Sequence, residues 1–230
     1  MFGQNPARKK SPDRDLLWVE EIYQTVQGEG PYSGDSATFI RLSGCNLKCY
    51  WCDTQFELFK LHLYPLEIIK EIYNRNYPPP ELVVITGGEP FRQNIAPLIN
   101  DLLQENFKVQ IETNGTIHRP LNQREKNITI VCSPKTPQLH PQNIKIITHY
   151  KYVVAHGEID AQDGLPDFCT QVPGKQIRLF RAPREKPIYL MPRDDYDPEI
   201  NKKNRNACIE VAMKYGRTLN IQLHKHLQLP

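Results

Sequence analysis

The sequence contains no apolar run approaching the roughly 18 residues that a membrane span requires, and its opening MFGQNPARKKSPDRD lacks the apolar core of a signal peptide. Membrane and export classes are thereby set aside, and a cytoplasmic protein is expected. Charge of one sign is also missing: 29 Lys and Arg stand against 26 Asp and Glu, a net +3, so nothing in the balance argues for a nucleic-acid partner. Glycine, at 12 of 230 residues, and cysteine, at 6, stay below the levels of low-complexity chains or disulfide scaffolds. Most telling is the lack of a second cysteine pair. Three of the six cysteines crowd into one stretch, and Cys132, Cys169 and Cys208 are scattered singly.

What is present suits one globular domain. Residues 1–14 are polar and basic and read as a flexible tail, leaving residues 15–230 as a single domain. Twenty prolines predict short connections and helix starts. A first strand is expected in LLWVEEIYQTV from Leu16, and a second in ATFIRL (37–42). Leu66, Ile69 and Ile72 recur at helical spacing, LVVIT (82–86) is a continuous apolar strand, and Ile95, Leu98, Ile99, Leu102 and Leu103 mark a second helix. Strands follow at 108–113, 128–132, 152–155 and 188–191, then a helix over 198–215 and a last strand through Leu219, Ile221 and Leu223. Helices interleaved with buried strands argue an α/β fold with a parallel sheet. The polar punctuation SGCNLKC, GGEP, NG and SPK falls at strand carboxyl ends, where parallel α/β folds carry their sites.

The chemistry centres on RLSGCNLKCYWCDT, where Cys45, Cys49 and Cys52 fall as C-x3-C-x2-C. A structural zinc site is the plain reading of clustered thiolates, but zinc needs a fourth protein ligand, and each remaining cysteine reads as a small core residue. An iron–sulfur cluster is also held by thiolates from a short loop. With three of them, one iron of a four-iron cluster stays open to bind a small molecule.

With Trp51 before the third cysteine and Gly87-Gly88-Glu89-Pro90 after a later strand, the loop resembles that of the radical S-adenosylmethionine (SAM) enzymes. Gln27-Gly28-Glu29-Gly30, Arg41, Cys52-Asp53-Thr54, Glu112-Thr113-Asn114-Gly115 and Ser133-Pro134-Lys135 are similar to the motifs of the 7-carboxy-7-deazaguanine synthase family. The likeness is densest up to Lys135 and thin between Gly157 and Lys186. The count of strands, set against typically about 250 residues for a full eight-unit barrel, and the resemblance together imply an incomplete TIM-type barrel of about six parallel strands with few helices, a radical SAM core.

The resemblance further implies conversion of 6-carboxy-5,6,7,8-tetrahydropterin to 7-carboxy-7-deazaguanine with loss of ammonia, in queuosine or 7-deazapurine biosynthesis. In that family a 5′-deoxyadenosyl radical takes a substrate hydrogen and returns it. Implied cofactors are a 4Fe-4S cluster on Cys45, Cys49 and Cys52, SAM, and Mg2+ on Thr54. Implied substrate contacts are Val26, Gln27, Gly28, Glu29, Arg41, Thr86, His224 and the terminal carboxylate of Pro230. Implied SAM contacts are Gly87, Gly88, Glu89, Asn114, Ser133, Pro134, Lys135 and the segment Met191, Pro192, Arg193, Asp194. A small-molecule pterin, a reductant such as flavodoxin or ferredoxin, and a homodimer complete the implied set. Arg41 also has a physical reading: its planar fork matches a carboxylate, and an unpaired arginine in the apolar ATFIRL would be costly. Two alternatives stand at this point, a glycyl-radical-enzyme activase and a zinc-binding interaction module without catalysis.

Overall fold

The computed structural model describes residues 15–75, 77–121 and 127–229. The expected tail over 1–14 and the terminal Pro230 lie outside the described residues. Nine strands form one sheet: β1 (Leu17–Val26), β2 (Ser36–Leu42), β3 (Leu61–Leu63), β4 (Leu82–Gly87), β5 (Lys108–Thr113), β6 (Ile128–Cys132), β7 (His149–Val154), β8 (Ile188–Pro192) and β9 (Thr218–Leu219). Their order is β3-β1-β2-β4-β5-β6-β7-β8-β9, so β3 and β9 are edges and the barrel is not closed. Seven strands from β2 to β9 run parallel, one more than expected, while β1 pairs antiparallel with both β2 and β3.

Five helices join them: α1 (Pro65–Arg75), α2 (Ala96–Gln104), α3 (Pro141–Ile146), α4 (Pro198–Tyr215) and α5 (Leu223–His226). The last strand expected through Leu219, Ile221 and Leu223 is a correction: only Thr218 and Leu219 pair with β8, and Leu223 opens a short helix. The alternating apolar residues belong to a turn, where the backbone amide of Asn220 returns to the carbonyl of Leu190 and Leu223 donates to Gly28.

The central strands β4 to β6 carry apolar runs because both faces are covered. Ile68, Ile69 and Ile72 of α1 and Leu98, Ile99 and Leu102 of α2 pack with Val83, Ile85, Val109 and Ile111 into one core. The longest helix, α4, is well terminated. Asp197 accepts from the amides of Glu199 and Ile200, Pro198 needs no donor partner, and Gly216 closes the end in the left-handed conformation. Among the described residues no helix is long and apolar enough to cross a membrane.

Register explains how the open side is bridged. Val19 faces Leu42 at the carboxyl end of β2, and Val26 faces Ser36 at its amino end. The turn after β1 therefore enters from the opposite end of the sheet to the cysteine loop. There it meets the chain leaving β9, as Gly30 donates to Asn220 Oδ1 at 2.7 Å and Gln222 Nε2 donates to Glu29 at 3.0 Å. Side-chain bonds rather than a strand ladder span the gap.

Candidate active site

A cavity of about 480 Å3 occupies the concave face of this sheet. The loop from Ser43 to Gln55 crosses its carboxyl rim and turns Cys45, Cys49 and Cys52 into it. Cys45 Sγ accepts the amide of Leu47 at 3.4 Å, and the Cys52 thiol donates to the carbonyl of Thr54 at 3.6 Å. Burial pushes the Cys45 thiol up to about 12 and that of Cys52 up to about 11. Metal binding must therefore supply the free energy to strip these protons. Thiolates on one zinc, with Zn–S of about 2.3 Å, would lie about 3.8 Å apart. Among the described residues no three His, Cys, Asp or Glu side chains converge to hold a single ion. Three thiols from one short loop, all lining one cavity, are a donor set that fits a thiolate-held iron–sulfur cluster.

The GGEP segment seats this loop. The amide of Gly88 donates to Leu42 and that of Glu89 donates to Gly44, at 3.2 and 2.9 Å. A Cβ on Gly88 would lie 2.2 Å from the Gly44 carbonyl oxygen, so only glycine lets the two backbones meet. Gly87, Gly88 and Thr86 line the cavity, whereas Glu89 does not. Its carboxylate accepts from Phe91, Thr113 and Asn114, all within 3.1 Å, and burial raises it to about 7. Glu89 ties the ends of β4 and β5 together rather than facing a ligand. Asn114 lines the cavity and donates to Asn46, linking β5 to the cysteine loop.

Past β6, Ser133 and Lys135 line the cavity and Pro134 lies behind it. Lys135 Nζ donates to Ser133 Oγ at 2.5 Å and sits 5.1 Å over the Trp51 ring; burial lowers its affinity for a proton. The segment Met191 to Asp194 lines the far wall. Helix α4 fixes it, because Asn204 donates to Arg193 O and Asn201 donates to Asp194 Oδ1, at 2.9 and 2.8 Å. Arg193 itself is held by Glu158 and Asp195.

Val26, Gln27 and Glu29 line the cavity from the turn after β1, and the Gln222 Nε2 that donates to Glu29 at 3.0 Å also donates to Asp53, beside the third cysteine, at 3.3 Å. Gln27 is buried, its Oε1 accepts the amide of Glu29, and its Nε2 has no partner among the described residues. A buried amide donor left open costs about 1–3 kcal/mol, which a polar ligand would recover. Gly28 is not among the residues that line the cavity, and a Cβ there would stand 2.2 Å from His224 Nδ1, so its bare backbone makes room for the α5 histidine. His224 lines the cavity, and burial lowers its affinity for a proton.

Arg41 reaches the cavity from β2, but it is not unpaired. Its Nε donates to Glu21 at 2.6 Å and its Nη2 to the Tyr23 hydroxyl at 2.7 Å. The sequence argument from an unpaired charge therefore fails; the pairing holds the guanidinium in place with its remaining donors available. Thr54 donates to Asp53 at 3.2 Å, placing a hydroxyl and a carboxylate together beside the third cysteine.

Sequence reading passed over the charged floor. Lys151, buried on β7, donates to Glu29 and, at 2.8 Å, to Glu112 on β5. Burial works against the Lys151 charge and the two carboxylates push its pKa up; burial likewise works against Glu29, but the Lys151 ammonium brings it down. Passed over too was Lys225 of α5, which donates to Asp53 at 3.2 Å and Asp194 at 2.7 Å, joining the cysteine flank to the segment after β8. No spacing signals these residues, since each partner comes from a distant element.

The Radical SAM superfamily profile matches residues 39–161. The chain is 45% identical to the 7-carboxy-7-deazaguanine synthase of Rhodospirillum rubrum over the full length of both. It is 37% identical to that of Rickettsia prowazekii, over 99% of this chain and 95% of the relative. Among solved structures, QueE from Escherichia coli matches with a TM-score of 0.66 at 25% identity, over 90% of this chain and 93% of that one.

Proposed function

The chain belongs to the 7-carboxy-7-deazaguanine synthases of the radical SAM superfamily, and from that premise we propose that it converts 6-carboxy-5,6,7,8-tetrahydropterin to 7-carboxy-7-deazaguanine with loss of ammonia. The product serves queuosine or other 7-deazapurine biosynthesis. The observation that carries the assignment of residues is one cavity that brings together the three thiols, the open Gln27 amide and the charged floor of Glu29, Glu112 and Lys151. Cys45, Cys49 and Cys52 hold a four-iron cluster. Backbone groups of Gly87 and Gly88, the side chains of Asn114, Ser133 and Lys135, and the segment Met191 to Asp194 hold SAM against it. When bound, this pair supplies abstraction of a substrate hydrogen and its later return.

The rest falls to the chain's own groups. Arg41, with guanidinium donors left over from Glu21 and Tyr23, takes the substrate carboxylate. Gln27 Nε2 and His224 read the aminopyrimidinone edge, with Val26 and Thr86 packing beside it. Glu29, held ionised by Lys151, offers an acceptor to the ring donors. Thr54 supplies an oxygen for Mg2+, and Asp53 beside it adds negative charge, in keeping with that ion's preference for oxygen and retained water. A flavodoxin or ferredoxin reductant, a cytoplasmic setting and a homodimer belong to the same proposal.

The test is anaerobic reconstitution with iron and sulfide, followed by SAM, reductant and the carboxypterin. Appearance of the deazaguanine chromophore with SAM regenerated supports the reading. A colourless protein with stoichiometric zinc would overturn it.

A further inference from the structure

Residues 157–186 carry no recognisable motif, yet they cover the cysteine loop. The backbone pairs Ile159 with Pro166 and Phe168 with Gln176, making a tongue whose far end holds Thr170 and Gln171. Asp160 and Asp163, each paired with Arg178 and Arg181, anchor its base. The tongue grips the loop by its backbone: Tyr50 N donates to Thr170 O at 3.1 Å, and Lys48 N donates to Gln171 Oε1 at 2.8 Å.

Between those two grips lies Cys49. Its thiol donates to Thr170 Oγ1 at 3.2 Å, and Gln171 Nε2 donates to its sulfur at 3.4 Å. Gln171 Nε2 also donates to Thr170 Oγ1 at 2.7 Å, so the two side chains brace each other over the sulfur. Thr170 is buried. The Thr170 hydroxyl gives its one hydrogen to the Lys135 carbonyl at 3.0 Å. When Cys49 loses its proton to bind iron, the thiol donor disappears, and the Gln171 amide, whose two hydrogens serve the sulfur and Thr170 Oγ1, remains aimed at a thiolate.

We propose that Gln171, held in place by the Thr170 hydroxyl that accepts its second amide hydrogen, is a positioning residue that raises the reduction potential of the cluster by hydrogen bonding to the Cys49 thiolate. This rests on the reading of the three cysteines as cluster ligands. Reduction adds negative charge that is shared by the ligating sulfurs, so donors aimed at a sulfur favour the reduced state. The tongue then serves the step on which radical generation depends, electron entry into the cluster.

The experiment is a potentiometric titration of the reconstituted full chain, followed by electron paramagnetic resonance without SAM or pterin, with iron and sulfide content measured on each sample. Thr170→Val and Gln171→Leu should move the midpoint to more negative potential, and the double variant should lose at least tenfold in the ratio of reduced to oxidised cluster at a fixed potential, about 59 mV for a one-electron couple. Thr170→Ser, which keeps the hydroxyl, should titrate as the wild type. An unchanged midpoint in a fully loaded double variant overturns the proposal, as does a Thr170→Ser shift equal to that of Thr170→Val. If the variants fail to load, the wild type decides: electron–nuclear double resonance with 15N in glutamine side chains should show a nitrogen coupled to the reduced cluster, and its absence overturns the proposal. A wild type that loads its cluster but forms no deazaguanine refutes the proposed reaction and leaves this inference standing; a wild type that takes up no cluster refutes both.

Discussion

Replacing Lys151 by methionine keeps the length of the side chain and removes its charge from between Glu29 and Glu112. Both carboxylates lie close to Lys151 on the buried floor of the cavity. Stripping one partner from a buried ion network costs roughly 3–5 kcal/mol, because the charges left behind are neither solvated nor paired. At about 2–4 °C per kcal/mol for a chain of this size, the apparent Tm should fall by roughly 6–20 °C near pH 8. The sign of the pH effect reverses in the variant. In the wild type, burial raises the Glu29 pKa but the ammonium outweighs it and lowers it, so its contribution to stability is present above the ordinary glutamate value and is lost as pH falls through the lowered one. In Lys151→Met the burial remains and the ammonium is gone, so the folded state binds the proton more tightly and stability is lost as pH rises. Thermal unfolding followed by circular dichroism at about pH 8 and about pH 5.5 should therefore show the deficit shrinking on acidification. The triple variant Glu29→Gln, Glu112→Gln, Lys151→Met, which leaves no charge unpaired, should recover most of the loss. A deficit below about 1 kcal/mol that ignores pH would refute the reasoning, since that is the scale of an exposed ion pair.

Gly88→Ala should displace the cysteine loop, because the new methyl would sit 2.2 Å from the Gly44 carbonyl; reconstituted iron and sulfide per chain should drop while the circular dichroism spectrum is retained. Gly28→Ala should expel His224 and raise the KM for the pterin with cluster content unchanged, and unaltered steady-state kinetics would contradict that seat. Arg41→Met should weaken pterin binding roughly 10–150-fold, the worth of a charge-assisted hydrogen bond of about 1.5–3 kcal/mol, while the affinity for SAM measured by titration stays within twofold, roughly 0.4 kcal/mol.

Legibility in the sequence followed the range of the interaction. Strands such as LVVIT and ITIVC, and helices such as α4 with its Asp197-Pro198 start and Gly216 stop, are specified by neighbours within a few residues, and they formed where periodicity placed them. The one apolar alternation that misled, Leu219 to Leu223, did so because its partners were distant: Gly28 and Leu190 accept its backbone donors, and a turn satisfied them better than a longer strand. The three cysteines were legible for the same reason as the strands, their spacing within a single loop.

Pairings between elements were not legible, because nothing in a one-dimensional pattern reports which strands face one another. Lys151 meets Glu29 across 122 positions, and Thr170 meets Cys49 across 121. The sequence by itself determined most of the elements and the cysteine loop, since each is written in local spacing, and the class of chemistry came from the resemblance that the motifs carry. Only the tertiary structure decided that Glu89 accepts from Thr113 and Asn114 across two strands, that Gly28 makes room for a histidine, that Arg41 is already held by Glu21, and that the turn after β1 brings Gln27 into the same cavity as the thiols. Those outcomes depend on burial and close approach, which exist only once the sheet has curled and its open side has been bridged.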